Sequence, residues 1–248
     1  MEKISISPVG DLLVYRCGYT PEFVNDTIRK MRLRGLRICV MLEKERLSDL
    51  NFLSEYGFLR VLDITSYVDY DMSCLSSLTN LRELTISQNG KATIDLSAMS
   101  LLEDLAIRWR KGRVVGLDRC CNVNDLCLIE YEENDIAPIS ELLNLNRLRL
   151  KTSTIRTVEG IQNFRRLQTL ELGACRRLKS LGALRNLPNL RRINFDSCPN
   201  VDDISVLAGM EHLEEVELYN CKLVAGLDRV RTLPSLKVLF LSGNTRET

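Results

Sequence analysis

The chain has 248 residues, 45% hydrophobic and 27% charged, and its 34 basic and 33 acidic side chains leave a formal charge of +1. That composition describes a folded core with a balanced surface, and it excludes a basic nucleic-acid arm, an acidic tail and an unfolded polyelectrolyte. His212 is the single histidine, which excludes a His-rich metal site.

In chain order, the N-terminal MEKISISPVGDLL holds no apolar run of signal-peptide length, and no later stretch is long and apolar enough to cross a membrane. The expectation is a cytoplasmic protein with no membrane partner. Ile4–Ser7 and Leu12–Arg16 are expected to pair as strands across Pro8-Val9-Gly10-Asp11. Thr20-Pro21-Glu22 reads as a helix start, with Thr as N-cap and Pro at the first helical position, and the helix is expected to run to about Met31. Residues 1–35 thus read as an N-terminal cap of β-hairpin plus helix.

From Leu36 onward a pattern L-x-x-L-x-L-x-x-(N/C/other) recurs. Its clearest copies begin at Leu81, Leu145, Leu167, Leu190, Leu213 and Leu236, with weaker ones at Leu36, Leu59, Leu102 and Val123; successive starts lie 21–23 residues apart. The L-x-L portion alternates as a short half-buried strand does. The second half carries an apolar residue every third position, as in Leu178, Leu181, Leu184 and Leu187, which suits a 3₁₀ return. One such period cannot bury its apolar face alone, whereas a parallel stack of them makes one continuous core.

These residues resemble the leucine-rich repeat family, and within it the 22-residue subclass of internalin-like and phosphatase-regulator-like repeats. The resemblance covers residues 36–248 as about ten repeats. It implies an α/β solenoid: a right-handed horseshoe with one parallel sheet on its concave side and short helical or 3₁₀ returns on its convex side. The family's Asn position falls on Lys44, Tyr67, Asn89, Arg110, Tyr131, Ser153, Cys175, Cys198, Cys221 and Asn244, so repeats carrying Lys, Tyr or Arg there are expected to turn differently. The last repeat lacks its return. Either residues 242–248 fold over the edge or that edge meets another chain.

The nine cysteines are odd in number and form no C-x-x-C pair, so neither a disulfide framework nor a zinc knuckle is indicated. Cys175, Cys198 and Cys221 lie one repeat apart and are read as a turn-lining ladder of small, weakly polar side chains. Cys120 falls on the core register and Cys121 beside it is expected outside.

No P-loop, no G-x-G-x-x-G after a strand and no H-E-x-x-H is present, and His212 has no partner that would make it a catalytic base. The chain therefore reads as a non-enzymatic protein without a cofactor or metal. Its informative positions lie between the strand leucines, where side chains point out onto the concave face. The candidate partner-binding residues are Asp104, Arg108, Trp109, Asp125, Glu130, Arg147, Arg149, Lys151, Glu171, Arg192, Asp196, Glu217 and Tyr219. Trp109 is the one aromatic anchor among them in this reading, and Arg147, Arg149 and Lys151 form a compact basic patch flanked by acids. The expected function is recognition of a folded protein partner on this face, with inhibition or regulation, as by a bacterial toxin-immunity protein, as one version by analogy. Two alternatives stay open: a structural subunit associating with its own copies through the C-terminal edge, and nucleic-acid binding through the Arg147–Lys151 patch, which the neutral net charge disfavours.

Overall fold

Alternating leucines followed by a rhythm of three give one strand and one tight return per period. The computed structural model, which describes residues 8–9, 11–41, 46–88 and 90–247, forms two units of this kind. The first is Met1–Arg108 with Gly112–Cys120, the second Trp109–Lys111 with Cys121–Thr248.

In the first unit β1 (Pro8–Val9) pairs antiparallel with β2 (Leu12–Val14). The strands β3 (Gly35–Val40), β4 (Val61–Ser66), β5 (Glu83–Gln88) and, beyond the two-residue β6 (Ile94–Asp95), β7 (Asp104–Arg108) then add in parallel. The short β8 (Val114–Val115) pairs with β6. The hairpin is displaced from its expected place. Pro8 and Val9 are strand rather than turn, because an edge strand tolerates the missing N–H of proline; Ile4–Ser7 lie outside the described residues. The helix α1 spans Pro21–Met31 as expected, with Thr20 Oγ1 accepting from the Phe23 N–H at 3.2 Å. It stops at Arg32, whose φ of 55° is left-handed.

The second unit is a parallel stack of β9 (Asp125–Ile129), β10 (Arg147–Lys151), β11 (Thr169–Gly173), β12 (Arg192–Asp196), β13 (Glu215–Tyr219) and, after the short β14 (Leu223–Val224), β15 (Val238–Ser242). β16 (Arg246–Glu247) returns to pair with β14. The returns are 3₁₀ turns at Ala137–Ile139, Ile161–Asn163, Gly182–Asn186 and Ser205–Gly209, followed by a one-turn helix α2 at Leu227–Val230. Leu148, Leu150, Leu170, Leu172, Phe195, Val216 and Leu218 are wholly buried, so strand after strand lays two apolar side chains into one column. In β15 the equivalent Leu239 and Leu241 are only half-buried.

The two units leave their strands by different turns. In the first, the alternation simply runs on: Val40, Ser66 and Gln88 are buried two residues after Ile38, Ile64 and Ile86. In the second, the next inward residue comes three positions on, as in Tyr131 after Leu128, Ser153 after Leu150 and Cys175 after Leu172. The added residue is left-handed each time: Glu130, Thr152, Ala174, Ser197 and Asn220 have φ of 52–56° and Gly243 has 67°. Each non-glycine one donates its N–H to the last strand carbonyl of the following repeat, from Glu130 to Lys151 at 2.7 Å through Asn220 to Ser242 at 3.2 Å.

This corrects the sequence alignment of the turns. Tyr67 is exposed, and Arg110 yields the inward place to Trp109, two residues past Ile107. Asn244 is exposed while Thr245 is buried; Lys44 and Asn89 lie outside the described residues. Tyr131, by contrast, takes its turn in the regular way.

Candidate functional site

In register, the outward side chains of the second unit form three columns across β9 to β15. The first is Asp125, Arg147, Thr169, Arg192, Glu215 and Val238. The second is Cys127, Arg149, Glu171, Asn194, Glu217 and Phe240. The third is Ile129, Lys151, Gly173, Asp196, Tyr219 and Ser242. Neighbours along a column are one strand spacing apart, about 4.8 Å.

The first two columns are stitched together by charge. Arg149 donates from Nη2 to Asp125 Oδ1 at 2.7 Å, and Arg147 holds Glu171 through its Nε at 3.0 Å and its Nη2. Arg192 pairs with Glu215 at 3.1 Å, and the Asn194 amide donates to Glu217 at 2.7 Å. The expected basic patch is therefore half neutralised: Asp125 and Glu171 engage two of its three members, and Lys151 alone makes no ion pair among the described residues. Cys127 lies buried on this face, and burial pushes its thiol up against the opposing pull of Arg149 and Lys151. At the edge where the strands begin, Asn124, Asn146, Gln168, Arg191 and Glu214 border a polar groove of about 400 Å³. There Glu214 is shared by Arg191 and Lys237, which hold its carboxyl below the usual range.

Trp109 is not on the face. It is 6% exposed, its ring packs on Tyr131 with centroids 5.1 Å apart, and its Nε1 donates to Glu133 at 3.3 Å. Glu133 occupies a place that later repeats fill with Ile155 or Leu178, and it also accepts from Lys111 Nζ at 2.9 Å. The early turn after Ile107 swings Trp109 inward, a shift that regular alternation does not foresee. Glu130 sits in its turn beside Arg110, at 2.6 Å. Asp104 and Arg108 belong to the first unit, on β7.

The aromatic pair on the face is instead half-buried Tyr219 and exposed Phe240, with ring centroids 5.3 Å apart and Phe240 44% exposed. The signal was in the sequence: Val238-Leu239-Phe240-Leu241 is apolar at outward as well as inward positions. A second feature is a hollow of about 360 Å³ over Gly173, bordered by Lys151, Glu171, Asn194 and Asp196. In the first unit the Tyr15 and Phe52 rings stack at 4.4 Å in the wall of a cavity of about 860 Å³ that also takes in Cys17, Cys39 and Arg37.

The cysteine ladder is present as expected. Cys198 donates its thiol to the Leu172 carbonyl at 3.2 Å and Cys221 to that of Phe195 at 3.4 Å, each one repeat back. Thr245 Oγ1 continues the series to Leu218 at 3.3 Å. Cys120 is buried, while Cys121 and His212 are exposed.

The model of the leucine-rich-repeat domain of the endo-beta-N-acetylglucosaminidase EndoS matches residues 123–244, the span of the left-handed turns. An internalin (inlF) of Listeria monocytogenes superimposes with a TM-score of 0.53 at 21% identity, over 96% of this chain and 81% of that one. Internalin C2 (inlC2) of the same species gives 0.55 at 18%, over 76% and 83%. The leucine-rich-repeat domain of the type III effector XCV3220 (XopL) gives 0.57 at 17%, over 76% and 71%. No curated protein matches the sequence. These likenesses show the leucine-rich-repeat fold.

Proposed function

We propose that this chain, a leucine-rich-repeat protein, is a non-enzymatic binding module acting in the cytoplasm, and that it recognises a folded protein on the outward face of β9 to β15. The observation that carries the reading is the combination of a charge array fixed by cross-strand ion pairs with the Tyr219–Phe240 pair beside it. A rigid polar array gives register and specificity, and exposed aromatics supply contact area at small entropic cost. Occlusion of a partner's working surface, as by a toxin-immunity protein, is the finer version of this reading.

The test begins with affinity capture from the native host and mass spectrometry to identify the partner. Its affinity is then measured against variants by calorimetry. Phe240→Ala and Arg192→Glu should each weaken binding about tenfold or more, as loss of an interface anchor does. Arg165→Glu and Lys179→Glu, on the returns, should leave it unchanged; the reverse pattern puts the binding surface on the returns.

Self-association is a second reading, favoured by the half-buried Leu239 and Leu241 of β15. Light scattering at micromolar concentration decides it. Nucleic-acid binding through the Arg147–Lys151 patch is disfavoured, because Glu171 and Asp125 engage the guanidinium groups of Arg147 and Arg149.

A further inference from the structure

Two opposite charges in the third column of the second unit's outward face are left over. In the first two columns each arginine has a carboxylate. In the third, Lys151 reaches no carboxylate among the described residues, and Asp196 has only the Ser197 hydroxyl, which donates to its Oδ1 at 2.8 Å. Both are exposed. They stand on either side of Gly173, paired in register with it from β10 and from β12. Two strand spacings, about 9–10 Å, separate them, too far for an ion pair, and the missing side chain between them is what opens the hollow of about 360 Å³.

The hollow is not required by the backbone. A Cβ on Gly173 would meet only the Leu150 carbonyl, at 3.8 Å, and Gly173 is not left-handed. Its floor is the Gly173 backbone and the Leu150 carbonyl, with half-buried Ala174 beside them, and its rim is polar at Asp196, Ser197, Thr152, Asn194 and Glu171. A floor free of side chains at Gly173 that ends in a carboxylate and hydroxyls leaves room for a slim aliphatic stem and suits a planar cationic head. The Asp196 carboxylate, fixed on one side by Ser197, keeps its other lone pairs for a multidentate donor.

We propose that the hollow over Gly173 is an anchor pocket for one arginine side chain of a protein partner, its guanidinium on Asp196 and its stem over Gly173 and Ala174, with Lys151 on the opposite rim meeting an acidic group of the same partner. The proposal rests on the binding-face reading above and specifies the chemistry of what binds there.

The full chain, labelled with ¹⁵N, is titrated with N-acetyl-arginine methylamide, and with the isosteric neutral N-acetyl-citrulline methylamide, while the amide resonances are followed. The arginine probe should shift Gly173, Ala174 and Ser197 saturably, in the millimolar range expected of a single side chain. Citrulline should bind at least about fivefold more weakly, for want of the charge-assisted bonds. Asp196→Asn should abolish the preference for arginine, and Gly173→Tyr, which fills the hollow, should abolish the shifts. Equal shifts with both probes, no shift at these amides, or a preference that survives Asp196→Asn overturns the pocket. Should the probe fail while Phe240→Ala and Arg192→Glu still weaken the partner, only the pocket falls. Should the probe bind as described while those variants leave the partner unaffected, the binding-face reading falls and the pocket stands.

Discussion

Arg149 lies in register between Cys127 and Glu171, yet its guanidinium takes neither and reaches diagonally to Asp125, two residues before Cys127 on β9, at 2.7 Å. Arg147 makes the mirror choice and holds Glu171. The two diagonals run parallel, one to each neighbouring strand, and Arg147 also comes within 4.0 Å of Asp125, so the two arginines and two carboxylates form one linked cluster.

Arg149→Glu should therefore cost roughly 1–2 kcal/mol of stability, more than an ordinary surface change, because both partners are under a quarter exposed and the new carboxylate would face Asp125 and Glu171. The charge swap Asp125→Arg with Arg149→Asp should recover most of the loss. Urea denaturation of the two variants measures both; a swap no better than the single reversal shows that the pair contributes nothing specific.

Trp109→Ala should destabilise by about 3–5 kcal/mol, as removal of a buried aromatic does. Trp109→Phe, which keeps the packing on Tyr131 and loses the bond to Glu133, should cost about 1 kcal/mol. Tryptophan fluorescence of the native chain should be blue-shifted and poorly quenched by iodide. Ready quenching would return Trp109 to the surface.

Alkylation with iodoacetamide under native conditions should modify Cys17, Cys39 and Cys121, the three exposed thiols, and spare the other six until the protein is unfolded. Mass spectrometry of the intact and digested protein counts and places the adducts.

Burial pushes the Cys221 thiol from 9.0 up to about 11, and Cys198 is pushed up too, by its hydrogen bond with Cys175 and by burial. The folded state thus prefers the protonated thiol. Its contribution is full below the unfolded thiol's pKa and is lost as pH rises from about 9 through 11. Cys221→Ser should flatten this alkaline loss and keep the bond to Phe195, since the Thr245 hydroxyl already makes the equivalent bond to Leu218 at 3.3 Å. Denaturation midpoints at pH 7.5 and 10 give the slope; equal slopes in the two proteins count against the ladder.

Ala174 holds a φ of 52° without the freedom of glycine. Ala174→Gly should raise stability by about 0.5–1 kcal/mol through relief of the left-handed conformation, net of the entropy glycine adds to the unfolded chain.

Strands, returns and the inward leucines were legible in the sequence because period and alternation report burial directly: Leu148, Leu170 and Leu218 are where the pattern puts them. The turns were not, because a shift of one residue after the strand leaves the leucine spacing almost intact while it exchanges Trp109 for Arg110 and Thr245 for Asn244. The face was legible as a set of positions but not as a charge map. Which carboxylate an arginine chooses depends on diagonal reach between strands, and Lys151 and Asp196 stand out only once Gly173 is seen between them. Tyr219 and Phe240 both fall on outward positions, but that their rings meet shows only once β13 and β15 are paired.

The left-handed residue that closes each strand of the second unit also sets a common thread for joining one repeat to the next. Glu130, Thr152, Ala174, Ser197 and Asn220 all hand their N–H to the strand that follows. Any two of these modules are therefore interchangeable at that seam, and a gene duplication or deletion that copies or drops one whole module preserves every junction bond. The β4 module of the first unit, with no left-handed residue among the described residues that follow it up to β5, does not share the thread. Growth or shortening of the chain by whole repeats is thus easiest within the second unit, where it would lengthen the face one column-step at a time without re-aiming what is already there.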